Sequence, residues 1–274
     1  RQLGMKTAGH PENFLSDVIE TTTGPLGQGL ANSVGFAIAE ESLRAKFGPN
    51  IIDHYTYVVA GDGCLMEGVS QEAISLAGHL SLNKLIVFWD NNNITIDGPV
   101  DLTDSTNQKI RFEASGWNVI EIDGHDPSAI DMAIKASKIS QKPTMIACKT
   151  HIALGTAAQD TSKGHGALTD PELIKNAREV YKWSHKPFVI PKFVKEQWEE
   201  AGLKGDKTFK EWKSYLENLS VSKKSEFERV FNGDIPKKMS TVIRKFKKEN
   251  SAASPTVATR KASELTLNTI NSIM

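Results

Sequence analysis

The sequence has little cysteine, no excess of charge and no long apolar run, and each absence excludes a class of protein. Its two cysteines, Cys64 and Cys148, are too few for a disulfide framework and match no zinc-ligand spacing. No apolar stretch approaches the roughly 18 residues of a membrane span, and no signal peptide opens the chain. The 33 basic and 33 acidic residues cancel, so nothing points to nucleic acid. We therefore expect a cytoplasmic protein with reduced thiols that binds neither membranes nor nucleic acid.

What the sequence does contain is an alternation of short strand-like runs and helical patterns. Runs rich in β-branched and aromatic residues predict buried strands, and apolar residues at helical spacing predict the helices between them. Alternation of this kind is typical of an α/β fold with a doubly wound parallel sheet. The predicted strands cover residues 55–60, 84–89, 117–122 and 144–148, and the predicted helices cover residues 30–47, 67–80 and 127–139.

Two of these strands are followed by residues that suit a metal and a diphosphate. Gly61, Asp62 and Gly63 follow the first strand, and Asn92 follows the second. In a parallel sheet, ligands bind beyond the carboxyl ends of the strands. A carboxylate at Asp62, an amide oxygen at Asn92 and the carbonyl of Ile94 would form a partial oxygen set of the kind that Mg²⁺ accepts. Either motif alone is an ordinary turn, so the specific signal is the pair, each after a strand.

The same motifs resemble a known family. Gly61-Asp62-Gly63, followed after 27 residues by Asn91-Asn92, resembles the thiamine-diphosphate motif. The strings GDGCLMEG, NNITIDG, GHPE, TTGPLGQG and KGHGAL resemble transketolase, and the likeness returns at residues 257–261. The resemblance implies a thiamine-diphosphate-binding fold and Mg²⁺, with Ca²⁺ or another divalent ion as an alternative. It also implies transfer of a two-carbon ketol unit between sugar phosphates, in the pentose phosphate pathway.

The resemblance also implies roles for single residues. It implies that His10 and His165 are catalytic, since His10 faces the active-site cavity and His165 bonds the diphosphate. Glu67 would lie at a subunit interface; without the resemblance it is a carboxylate that complements a helix dipole, and His10 is an ordinary loop residue. The implied metal ligands are Asp62, Asn92 and Ile94, and the implied cofactor-binding residues are Gly24, Pro25, Leu26, Gly61, Asp62, Gly63, Glu67, Asn92, Ile152 and His165.

We expect three segments and an incomplete enzyme. Residues 1–185 would form a thiamine-diphosphate-binding domain that lacks its N-terminal part. Residues 186–255 would form a helical connecting arm, and residues 256–274 the start of a truncated pyrimidine-binding domain. In the family, the catalytic Glu belongs to the pyrimidine domain of the other subunit, so we expect the chain to be inactive alone. The implied partners are a second copy or a pyrimidine-domain chain, together with sugar phosphates.

Three alternatives stay open. The chain could be one subunit of a split transketolase. It could be a related thiamine enzyme such as dihydroxyacetone synthase or deoxyxylulose-phosphate synthase, although TTGPLGQG, NNITIDG and HGAL favour transketolase over the latter. A different class is a non-catalytic remnant that holds the cofactor without turnover.

Overall fold

A four-stranded parallel sheet lies at the centre of the computed structural model, which describes Gly4, Lys6 and residues 8–166 and 168–274. Ala167, in the KGHGAL string, lies outside the described residues. The strands are β1 (Thr56–Gly61), β2 (Leu85–Asn91), β5 (Asn118–Asp123) and β6 (Thr144–Lys149), and their order in the sheet is β1-β2-β6-β5. A short antiparallel hairpin of β3 (Ile94–Thr95) and β4 (Gly98–Pro99) follows β2. All four predicted strands are therefore confirmed.

Helices cover both faces of this sheet. The first face buries α1 (Gln28–Phe47), α3 (Gly68–His79) and α4 (Gln108–Ala114) against one set of alternating strand residues, among them Val87 and Met145. The opposite face buries α5 (Pro127–Ile139) against the other set, among them Ile86 and Ile146. Because β2 and β6 are covered on both sides, their side chains form continuous apolar runs. The predicted doubly wound α/β class is confirmed.

The helix predicted over residues 67–80 is confirmed, and a separate short helix precedes it where the sequence predicted only a turn. A five-residue helix, α2 (Asp62–Met66), ends before Glu67, which has an extended backbone, and α3 begins at Gly68. Two side chains of α3 donate hydrogen bonds to backbone carbonyls of α2. Ser70 Oγ donates to Cys64 O at 2.6 Å, and Gln71 Nε2 donates to Leu65 O. Those two bonds satisfy the backbone at the break. Glu67 therefore precedes the helix and its side chain makes no capping bond.

The chain divides into two units, residues 1–201 and 202–274, and the division falls inside α7 (Lys192–Glu217). α6 (Pro171–Val180) belongs to the first unit, and the Asp170 side chain caps it by accepting from the N–H of Glu172. The second unit contains the remaining helices, α8 (Val221–Phe231), α9 (Met239–Ala253) and α10 (Thr259–Asn271). Within the described part of the chain, no helix combines the length and apolar character that crossing a membrane requires. The domain boundaries inferred from the sequence stay a prediction.

Gly78 marks a close contact on which α3 depends. A Cβ at Gly78 would lie 1.7 Å from the carbonyl oxygen of Ser115, whereas a Cβ at Gly205, in α7, would meet nothing within 4 Å. We expect Gly78→Ala to lower the free energy of unfolding by about 1–3 kcal/mol or more, because the backbone at Ser115 must move. We expect Gly205→Ala to raise it by about 0.5–1 kcal/mol, because alanine favours an exposed helix. Urea unfolding of the two variants measures both, and a Gly78→Ala protein as stable as the parent would refute the close packing.

Candidate functional site

The Asp62 side chain is buried at the carboxyl end of β1 and half of its carboxylate has no partner. Its exposed fraction is 8%. Oδ1 accepts a hydrogen bond from Trp89 Nε1, on the neighbouring strand, at 2.9 Å. Oδ2 is buried and has no hydrogen-bond partner among the described residues. A buried carboxylate oxygen without a donor is costly, so this atom calls for a ligand that the folded chain does not supply.

Burial raises the pKa of the Asp62 carboxyl above its ordinary value, since a dry environment disfavours the charged form. Trp89, which donates to Oδ1, and the nearby backbone N–H of Asn93 act in the opposite direction, although no hydrogen bond of ordinary geometry reaches Oδ2. The charge of Asp90 adds to the rise, and that of Lys149 opposes it. The net effect is that the negative charge of Asp62 lowers the stability of the fold. A bound cation would remove this free-energy cost.

Glu40 also has a buried oxygen without a partner, but its setting is different. Its Oε1 lies 2.7 Å from Lys84 Nζ, so the charge of Glu40 is already paired. Lys84 comes just before β2, at the amino end of the sheet. Ligands of parallel sheets bind at the carboxyl end, so Asp62 is the candidate and Glu40 is not.

Asn92 and Ile94 follow the neighbouring strand in a turn that faces Asp62. Asn92 Oδ1 accepts from the N–H of Ile94 at 2.9 Å, and Asn93 has a left-handed backbone with a φ of 63°. The N–H of Val100 donates to Asn93 O at 3.1 Å, which makes Ile94 and Pro99 a non-hydrogen-bonded pair. The carbonyl of Ile94 therefore points away from β4. α2 lies beside β3, so the three predicted metal ligands occupy one corner of the sheet.

Close contacts bring the glycine-rich segment before α1 to the same corner. A Cβ at Gly24 would lie 2.5 Å from His10 Nδ1, so the His10 ring rests against this backbone. A Cβ at Gly63 would lie 3.1 Å from Leu26 Cδ1. A Cβ at Gly27, where φ is 79°, would lie 2.8 Å from the Cβ of Glu67. Four of the predicted site residues therefore lie close together beside the Gly61-Asp62-Gly63 segment: His10, Gly24, Leu26 and Glu67.

The loop after β6 carries the last two predicted residues. The N–H of Asp160 donates to Ile152 O at 3.1 Å, and Asp160 Oδ2 lies 2.9 Å from His151 Nδ1. Gly164 packs against Ile152, since a Cβ there would come within 3.6 Å of its Cγ2. The 3₁₀ turn Ser162–His165 lies beside β3. The loop therefore presents exposed His165 near Ile94 and half-buried Ile152 near the end of β6.

A cleft of about 1020 Å³ runs along the free edge of β1. Pro25, Leu26 and Cys64 line one part of it, and Tyr57 and Val59 line another. Asp62 and Asn92 do not line it, so the cleft adjoins the glycine-rich segment rather than the candidate metal ligands. Within the described ranges, no group of three or more His, Cys, Asp or Glu side chains could hold a metal ion. A cation here would depend on Asp62, on neutral oxygens and on oxygens from its own ligand.

Sequence reasoning assigned no role to three residues that support the candidate ligands. Trp89 donates to Asp62, while Asp90 accepts from Asn92 Nδ2 at 3.1 Å and from the hydroxyl of Thr150. Their position at strand ends was the only signal. Which neighbour each side chain would meet depends on strand order, and no local pattern predicts that.

Comparison with known proteins identifies the family of this chain. Residues 1–236 match the family described as transketolase, thiamine diphosphate-binding domain. The chain belongs to the transketolase family. A transketolase from Rhodobacter capsulatus is 50% identical over 275 residues, which cover 100% of this chain and 41% of the relative. Transketolase 2 of Escherichia coli is 46% identical over 98% of this chain and 41% of its own length.

Solved transketolase structures share the fold. The transketolase of Leishmania mexicana superposes with a TM-score of 0.88 at 38% identity, over 100% of this chain and 41% of that one. A Pichia stipitis transketolase in complex with sedoheptulose 7-phosphate gives a TM-score of 0.88 at 37% identity, again over 100% of this chain and 41% of that one. This chain thus spans about two fifths of the length of these transketolases.

The unpaired carboxylate of Asp62 predicts a distinctive stability change. Asp62→Asn keeps an acceptor for Trp89 and removes the buried charge, so it should raise the melting temperature of metal-free protein at neutral pH. Because the folded pKa of Asp62 is raised, the carboxylate costs stability above that pKa. The cost shrinks as the pH falls, and it vanishes below the ordinary pKa of an unfolded Asp.

Scanning calorimetry of chelator-treated protein at several pH values measures this difference. The matched control is Asp97→Asn, which alters an exposed carboxylate in the turn between β3 and β4 and should leave the melting temperature unchanged. An Asp62→Asn protein that melts lower than the parent at neutral pH would contradict the claim that the buried charge lowers the stability of the metal-free fold.

Proposed function

We propose that this chain binds thiamine diphosphate through Mg²⁺ at the corner formed by Asp62, Asn92 and Ile94, as part of a transketolase. Such an enzyme transfers a two-carbon ketol unit from a ketose phosphate to an aldose phosphate, in the pentose phosphate pathway. The observation that carries the proposal is Asp62 Oδ2, a buried oxygen with no donor beside two further candidate oxygen ligands. Family membership over residues 1–236 supports it.

The donor set fits a small hard cation that arrives with its own anion. Asp62 supplies the one carboxylate, Asn92 an amide oxygen and Ile94 a carbonyl. Mg²⁺ keeps several positions for water and phosphate oxygens, and it binds proteins through one or two carboxylates. We therefore expect the metal to bind tightly only together with the diphosphate. Gly61 and Gly63 would let backbone N–H groups approach that diphosphate.

The neighbouring segments would hold the rest of the cofactor and the sugar. The bound cofactor supplies the electron sink that ketol transfer requires. Gly24, Pro25 and Leu26 would seat its pyrimidine ring, and Ile152 would press on the ring system. His10 and His165, both exposed, would face the sugar phosphate. An imidazole that donates to a phosphate or hydroxyl oxygen orients the substrate and steadies its charge.

Assembly would complete the site. Glu67 lies exposed at the start of α3, beside Gly27, and we propose that it contacts the second subunit of a homodimer or a pyrimidine-domain chain. The carboxylate that activates the cofactor would then come from the pyrimidine-binding domain.

Two free cysteines, Cys64 and Cys148, are consistent with a cytoplasmic location. Burial also raises the pKa of the Cys148 thiol to about 11, which keeps that thiol unreactive.

Calorimetric titration of thiamine diphosphate in the presence of Mg²⁺ tests the proposal in the protein that carries this chain. We expect saturable binding for the parent protein and for Asp97→Asn, and no measurable binding for Asp62→Asn, because the charged ligand of the cation is gone. Ketol transfer from a ketose phosphate to an aldose phosphate should be lost in parallel. Unchanged cofactor affinity in Asp62→Asn would refute the metal site. Tight binding by the parent protein without ketol transfer would favour a non-catalytic holder of the cofactor.

A further inference from the structure

Asp90 lies at the centre of the site, between the two strands that flank β2. It is the register partner of Gly61 on β1 and of Cys148 on β6. Its carboxylate points to two donors from different segments. Oδ2 accepts from Asn92 Nδ2 at 3.1 Å, and Oδ1 accepts from the hydroxyl of Thr150.

The first of these bonds decides which way the amide of Asn92 faces. A carboxylate only accepts hydrogen bonds, so the nitrogen of the Asn92 amide must be the end that faces Asp90. Its oxygen then faces the N–H of Ile94, which donates to it at 2.9 Å. An amide oxygen accepts two bonds, so one lone pair of Asn92 Oδ1 stays available. A reversed amide would turn two N–H groups toward a cation, which would repel them.

The second bond ties the loop after β6 to the same carboxylate. Thr150 is the first residue beyond β6, and its N–H also donates to Asn91 O at 3.3 Å. Ile152 follows two residues later. Two hydrogen bonds from Thr150 thus join the ends of β2 and β6. The backbone N–H of Thr150 donates to Asn91, and its hydroxyl donates to Asp90.

We propose that Asp90 is a positioning residue of the metal site, which holds the oxygen of Asn92 toward the cation and anchors the loop that carries Ile152. This inference rests on the proposed function, since it presumes a cation at Asp62 and Asn92. Each oxygen of Asp90 already accepts one hydrogen bond, from Asn92 or from Thr150, and the inference requires no direct contact between Asp90 and the cation. Partners of this kind commonly contribute 10–100-fold, roughly, to metal affinity by orienting the ligand.

Binding of Mn²⁺ in the presence of thiamine diphosphate, with free Mn²⁺ counted by electron paramagnetic resonance, tests the role. Asp90→Leu removes both acceptors and should weaken Mn²⁺ binding by about 10–100-fold. Asp90→Asn leaves one acceptor for two donors and should weaken it by a smaller but measurable factor. Thr150→Val removes only the hydroxyl bond from the loop to Asp90, so the loss of Mn²⁺ affinity should be smaller still. Asp97→Leu is the matched control and should bind as the parent does.

The thermal midpoint of metal-free protein separates positioning from a merely structural role. A structural role would lower that midpoint in the Asp90 variants while the folded protein kept its Mn²⁺ affinity. Parent-like affinity in both Asp90 variants overturns the inference. Should Asp90→Leu fail to fold, parent-like affinity in Asp90→Asn alone overturns it. Asp62→Asn distinguishes the two proposals: if it binds Mn²⁺ as the parent does, the metal site itself is wrong, whereas if only the Asp90 variants do, the metal site stands.

Discussion

The parallel pairing of β1 with β2 is the constraint on which the candidate site depends. This pairing puts Gly61 opposite Asp90, so that the next residues of both strands emerge at the same edge. The Trp89 side chain can then reach Asp62, and the turn at Asn92 and Asn93 closes over it. A slip of one residue would move every apolar side chain of β2 to the opposite face. Since β2 is covered on both faces, the core that stabilises the sheet also maintains the geometry of the site.

At Asp62, the stability of the fold and the proposed binding of a cation make opposite demands. The Asp62 carboxylate lowers the stability of the fold, because it is buried and only one of its oxygens is hydrogen-bonded. Its pKa is raised for the same reason, since burial disfavours the charged form. Proteins retain such groups where a ligand repays the cost. The surrounding side chains act in both directions: Trp89 donates to one oxygen of Asp62 and lowers this cost, whereas the nearby negative charge of Asp90 raises it.

Much of the fold could be predicted because its signals are local. The β-branched and aromatic runs predicted all four strands, and Pro127 marked the start of α5. The short helix α2 could not be predicted, because it depends on Ser70 and Gln71 side chains of the next helix that bond to its carbonyls. The placement of β6 between β2 and β5 is likewise a property of the whole sheet. The motif residues were recognisable, but the supporting roles of Trp89 and Asp90 arise only from that strand order.

When the diphosphate is bound, we expect a divalent cation at the corner formed by Asp62, Asn92 and Ile94. Crystals of the protein grown with Mn²⁺ and thiamine diphosphate, and measured at the manganese absorption edge, test it directly. We expect one anomalous peak per chain within ligand distance of Asp62 Oδ2, about 2.0–2.2 Å for a cation close to Mg²⁺ in size. A bound cofactor whose cation lies elsewhere, with Asp62 Oδ2 still unpaired, would contradict it.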